Sequence, residues 1–575
     1  MFTQSNRGDT LFAQTGHAPA SHVLASHVLA DGHLRLPVNG LDYVILVLYF
    51  LVVLGIGLAS RTRVKTALDF FVAGRSMPAW VTGLAFVSAN LGATEVIGQA
   101  ANGAEYGTMT VHYYWVGAIP AMVFLAIFMM PFYYGSKVRS VPEFLGRRYN
   151  GSTQALNAVL FAIAQLLIAG INLYALAIVV QAMLGWPQWV SIVVAGAFVL
   201  FYITLGGLES AIYNEVLQFF VIIVALIPVV LLSLKKVGGW SAMKAKIDAS
   251  VLGNPGLHAW RNTGFGSHNP MDASWLSIVL GLGFVLSFGY WTTNFAEIQR
   301  ALSAKNMSAA RRTPVIAAYP KVFLPLITVL PGMLALILVP GLGTTFQYND
   351  AIPLLIRDVL PNGVLGLALT GLLASFMAGM AANVSSFNTV MTTDLLEPFF
   401  APGRPDEFYV RWGRLFTVLG VVAGIGTAFL ASTFSNLMNY MQTLFGFFNA
   451  PVFATFLIGL MWRKMSGKGA FWGLLCGVLG AVLVYILSIR HVLDLGSSLN
   501  VSFIVAAIGF AIDIVVSVLV SLVTTPIDGS RLPGLIWGTN PDPGSAALSR
   551  AGRQSTIVLG IGVLLIAAIL YVFVF

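Results

Sequence analysis

Residues 87–103 read VSANLGATEVIGQAANG, in a span too rich in glycine, alanine, asparagine and serine to be a plain membrane helix. A carboxylate, Glu95, sits in the middle of it. Interruption of this kind is how transporters expose backbone carbonyls and half-helix ends to ions and solutes at mid-membrane. The alternative is a small-residue face for close helix packing. The surrounding chain has to decide.

The 575 residues are 57% hydrophobic and only 9% charged, with a mean hydropathy of +0.84. Soluble domains carry roughly a quarter charged residues, so this composition cannot cover a water-facing surface. Apolar runs near 20 residues recur, the length that crosses ~30 Å of hydrocarbon as helix. The pattern predicts an all-α polytopic membrane protein of about fourteen spans: 41–59, 80–106, 112–133, 155–183, 187–205, 212–233, 273–297, 316–339, 361–390, 412–432, 434–461, 470–488, 501–524 and 555–575. Residues 1–40 are polar, hold no cleavable signal sequence and read as a disordered tail.

The net charge of +9 invites a nucleic-acid partner, but the basic residues lie mainly in short loops between apolar runs. With the N-terminus outside, 21 of the 31 fall in inner loops and nine in outer segments. That asymmetry supports both termini outside, and the protein is expected in a bacterial inner membrane. The single cysteine, Cys476, allows no intrachain disulfide.

An ionisable side chain within a membrane helix costs at least ~2.5 kcal/mol on insertion scales, so each one marks a candidate site. Lys321, in AAYPKVFLPLITVLPG, either snorkels to the inner surface or enters a cavity. Glu215 is either an anchor at the cytoplasmic end or a carboxylate on an ion path. Glu297 precedes Arg300 by three residues and reads as a surface ion pair. Asp513 shows no evident partner. Tyr290 and Trp291 close a glycine-containing run, as packing rings or as a platform for a solute. No histidine pairs with cysteine or carboxylate at metal-ligand spacing, and no nucleophile motif supports an enzyme.

Four stretches in order carry a resemblance: DFFVAGRSMPAW (69–80), YITLGGLESAIYNEVLQ (202–218), YWTTNFAEIQRALSAKNMS (290–308) and GLMWRKMSGKGAFWG (459–473). They resemble the sodium/solute symporters, nearest the sodium/glucose cotransporter branch, over about 41–490. The resemblance implies a LeuT-type core of five plus five inverted-repeat helices at 80–461. A leading helix and inner loop (41–79) come before it. Three accessory helices (462–575) follow, with an inner loop at 525–554. It implies broken first and sixth core helices with a solute site between them.

By the same resemblance, sodium is held by the carbonyls of Ser88 and Leu91 and by the eighth core helix at Ser375, Ala378 and Gly379. That helix contains FMAGMAANVSSFNT (376–389), and the family's hydroxyl pair is missing from it. A hard cation needs several oxygens, and Ser385 and Ser386 lie about 10 Å further along the helix. Glu215 matches an aspartate on the inner ion path. Asn90, Tyr290, Trp291, Lys321, Gln442 and Asn172 match solute-contacting positions. Tyr114 stands where the family has a glutamate, and Glu95 where it has an uncharged or imidazole side chain.

The expected function is sodium-coupled import of a small polar, sugar-like solute other than glucose itself, with no cofactor besides the coupling ion. Proton-coupled or uncoupled transport is the alternative, because of the missing hydroxyls. A transporter-like solute sensor is the reading from another class.

Overall fold

The computed structural model describes residues 36–60, 66–537 and 546–573. Most of the expected N-terminal tail and part of the 525–554 loop lie outside the described residues. In chain order the main helices are α1 (Gly40–Ser60), a bent pair α2 and α3 (Ala79–Asn90 and Thr94–Val111), α4 (Tyr113–Gly135), α5 (Gly151–Leu184) and α6 (Gln188–Val237). A second bent pair follows, α7 and α8 (Ser277–Thr293 and Phe295–Leu302), then α9 (Met307–Leu338), α10 (Val364–Phe400), α11 (Asp406–Ala431) and α12 (Leu437–Met461). The last three are α13 (Gly467–Ile489), α14 (Ser498–Leu522) and α15 (Ala546–Phe573).

Among the described residues eleven stretches have the length and apolarity of a span, or thirteen if each bent pair is one. The described residues thus account for thirteen of the fourteen expected spans. The remaining expected span, 187–205, coincides with the first part of the long helix α6, whose stretch Gln188–Leu200 is apolar.

Each half of the core opens with a broken helix, bent by 61° at α2/α3 and by 49° at α7/α8. The stretch that posed the opening choice is therefore a break. Leu91 leaves helical geometry at ψ 41°, and its N–H still reaches back to Val87 and Ser88. The chain resumes when Glu95 and Val96 donate to the Gly92 carbonyl. At the second break Asn294, at ψ 108°, caps α8 by accepting from Ala296 N–H.

Packing faces are real as well. α10 is buried along nearly its whole length against α2, α5 and α6. A Cβ on Gly371 would lie 2.3 Å from Ala225 Cβ, and one on Gly379 3.0 Å from Gly92 Cα. Small residues let backbones approach where no hydrophobic drive exists between lipid-soluble helices.

α1 is tied to α10 by a charge. Asp42, buried in the first turn of α1, accepts 2.7 Å bonds from the N–H groups of Gly363 and Gly366. Those are free amides at a helix N-terminus, where a carboxylate is favoured. Further along α1, Leu48 and Leu51 are exposed, as suits side chains that face lipid.

Asp513 has partners that the sequence did not reveal. It accepts from Thr455 Oγ1 on α12 at 2.7 Å and from Ser517 Oγ at 2.9 Å, which ties accessory helix α14 to the core.

Candidate functional site

Both breaks face one cavity of about 60 Å³. Asn90, Glu95, Asn172, Tyr290, Trp291, Lys321, Gln442 and Gly379, all candidate site residues from the sequence, border it. So do Glu297, expected at the surface, and Asn383 and Phe445, which the sequence did not mark.

Lys321 does not snorkel. Its side chain is buried, and Nζ donates to Asn90 Oδ1 and, at 2.5 Å, to Glu95 Oε1. The ammonium also lies 5.2 Å from the Tyr114 ring centre and 5.0 Å from that of Trp291. Tyr114 stands behind the cavity wall and donates its hydroxyl to Glu95 Oε2 at 2.5 Å, with Thr328 Oγ1 at 2.8 Å. Glu95 is thus neutralised on one oxygen and hydrogen-bonded on the other. This is how a carboxylate survives at membrane depth. Trp291 is braced by Phe86, stacked at 5.6 Å.

Tyr290 sits one turn before the second break. Its hydroxyl accepts from Asn90 Nδ2 at 2.9 Å and donates to Glu297 Oε1 at 2.7 Å. Its ring lies 4.4 Å from that of Phe445 on α12. Gln442, a turn from Phe445, reaches only the Met438 sulfur at 3.7 Å.

The expected surface pair of Glu297 and Arg300 does not exist. Both are buried, and each has a different partner. Arg300 grips Glu215 on α6 with two nitrogens, one of them at 3.1 Å, and also donates to Ala296 O at 2.8 Å. The helix-face spacing was right, but a face on α8 is an interior face. Among the described residues Glu297 has Tyr290 on one oxygen and nothing on Oε2. A costly charge just after a helix break was the signal that could have found it.

The proposed ion ligands lie at the first break, under the cavity wall. Ser375 Oγ donates to the Leu91 carbonyl, while the Ser88 carbonyl accepts from Leu91 N–H at 3.0 Å. Ser88 Oγ is buried without a partner. These oxygens suit a hard cation in type, though they are fewer than such an ion takes. Ala378 adds no oxygen, and the space at Gly379 is taken. Asn172 Oδ1, which accepts from Ala93 N–H at 2.8 Å, would lie 2.6 Å from a Cβ there. The amide from α5 holds the break beside the place on α10 where the resembled family has a hydroxyl and this chain has none.

Two discontinuous helices meeting at a charged crevice between them define a secondary transporter rather than an enzyme. Residues 70–477 match the sodium:solute symporter family, and the chain belongs to it. It is a membrane-embedded, sodium-coupled solute symporter. The chain is 29% identical to the sodium/myo-inositol cotransporter 2 of Oryctolagus cuniculus over 87% of its own length and 79% of the relative's. It is 27% identical to the sodium/glucose cotransporter of Vibrio parahaemolyticus, covering 76% and 84% respectively. Among solved structures, a sodium-coupled sialic acid symporter in a substrate-bound outward-open state superposes with a TM-score of 0.72 at 18% identity, over 85% of this chain and 99% of that one. The nucleobase-cation symporter Mhp1 gives 0.51 at 14% identity, over 81% and 97%. These two likenesses bear on the fold, which is of the LeuT type.

Proposed function

We propose that this symporter imports a small polyhydroxylated solute of the sugar or cyclitol class, bound in the cavity between the two breaks. The observation that carries this is the Asn90–Lys321–Glu95 cluster in the cavity wall, which offers both donors and acceptors to hydroxyl groups. Tyr290 and Trp291 supply flat faces for a ring, and Gln442 and Asn383 supply further amides. Asn172 serves the site indirectly, by fixing the first break. The two relatives named above transport, by their names, myo-inositol and glucose, which supports a polyol.

Sodium sits at the first break on Ser88, Leu91 and Ser375, with water or solute completing its oxygens. Glu215, locked to Arg300, ties α6 to α8 rather than carrying the ion. The termini face outward across a bacterial inner membrane, by the distribution of basic residues.

The test is uptake of labelled hexoses and inositols into proteoliposomes, with an inward sodium gradient against choline. Sodium-stimulated uptake of at least one polyol is expected, lowered at least ~10-fold by Lys321→Met, a loss of ~1.4 kcal/mol in binding. Uptake of no polyol under either gradient would overturn the reading.

A further inference from the structure

The charges around the two breaks do not balance. Among the described residues at the two breaks, three carboxylates, Glu95, Glu215 and Glu297, stand against two cations, Lys321 and Arg300. Lys321 is committed to Glu95, and Arg300 to Glu215. Glu297 borders the cavity with Oε2 buried and unpartnered. A buried carboxylate with no countercharge is costly to keep ionised, so it either holds a proton or favours an occupant that neutralises it.

The cavity itself shows how it treats an ammonium. Lys321 Nζ is held by a carboxylate, by an amide oxygen and by the faces of two aromatic rings. The same parts recur around Glu297 without an ammonium among them. Tyr290 is bonded to the carboxylate, Phe445 lies 4.4 Å from Tyr290, and Trp291 lies 5.0 Å from Tyr290. Asn383 borders the same space. A sodium ion wants a cage of about six oxygens, whereas an ammonium is satisfied by one acceptor and aromatic faces.

We propose that the transported solute carries an ammonium group, which Glu297 Oε2 receives on the Tyr290 side of the cavity. The polyol reading is deepened by this to an aminated polyol, and it is needed here only to place the solute in this cavity.

The experiment uses the full chain, purified in sodium, and compares dissociation constants in two series. One series is glucose, glucosamine and N-acetylglucosamine; the other is small alkylammonium salts against the matching alcohols. Glucosamine is expected to bind at least ~10-fold tighter than its N-acetyl form, equivalent to ~1.4 kcal/mol. Glu297→Gln should erase that preference and Glu297→Asp should keep part of it, with melting curves to check folding. Neutral sugars binding as tightly as glucosamine to the unaltered protein would overturn the inference and leave the polyol reading standing. Alkylammonium binding without any sugar binding would do the reverse. A Glu297→Gln protein that loses sodium affinity but keeps its amine preference would assign the carboxylate to the alkali ion, and so would also overturn it. No cationic compound binding in either series would overturn it as well.

Discussion

Two buried ion pairs join the halves of this transporter, and they are built differently. Arg300 and Glu215 are joined through two nitrogens, and Arg300 has further bonds to Ala296 and Gln299. Neither of the pair borders the solute cavity. Lys321 and Glu95 are joined by a single contact at the cavity wall, and each shares its charge with neutral neighbours, Asn90 and Tyr114. A planar guanidinium locks a carboxylate in one geometry, while an ammonium on a flexible stem can turn toward a new partner. The first pair is a strut and the second is an exchangeable contact.

The contrast breaks most visibly if the strut is cut. Arg300→Met alone should lower stability by about 3–5 kcal/mol, because it strands Glu215 in the interior. Adding Glu215→Leu should recover most of that loss, as read by thermal melting in detergent. A single variant as stable as the parent would mean the pair is not a strut. Lys321→Met should cost less stability, since Glu95 keeps the Tyr114 bond, and its larger effect should be on solute affinity. Equal melting losses at the two sites would erase the distinction between strut and exchangeable contact. The smallest change sharpens it from the side of the first break. Gly379→Ala should destabilise by ~1–3 kcal/mol through its clash with Asn172, and should weaken sodium-dependent stabilisation along with it.

The sequence made the fold legible because span length and small-residue density are local properties. VSANLGATEVIGQAANG announces its own break, and Lys321 and Glu95 stand out because charge is rare at that depth. What joins them is not local. Lys321 meets Glu95 across 226 residues, and Arg300 meets Glu215 across 85. The three-residue spacing from Glu297 to Arg300 describes a helix face without saying what that face meets, so it suggests a surface pair where the structure has two interior ones. Asn172, expected to touch solute, spends its oxygen on Ala93, a bond that only the bent path of the first core helix creates.

Asp42 gives the leading helix a role beyond filling the lipid boundary. Because its carboxylate clasps the amides of Gly363 and Gly366, the first turn of α1 is riveted to the start of α10. A tilt of α10 would then carry α1 with it like an outrigger. A dye on lipid-exposed Leu48 would then register movement of the buried helix from outside the protein, without disturbing a single residue of the cavity.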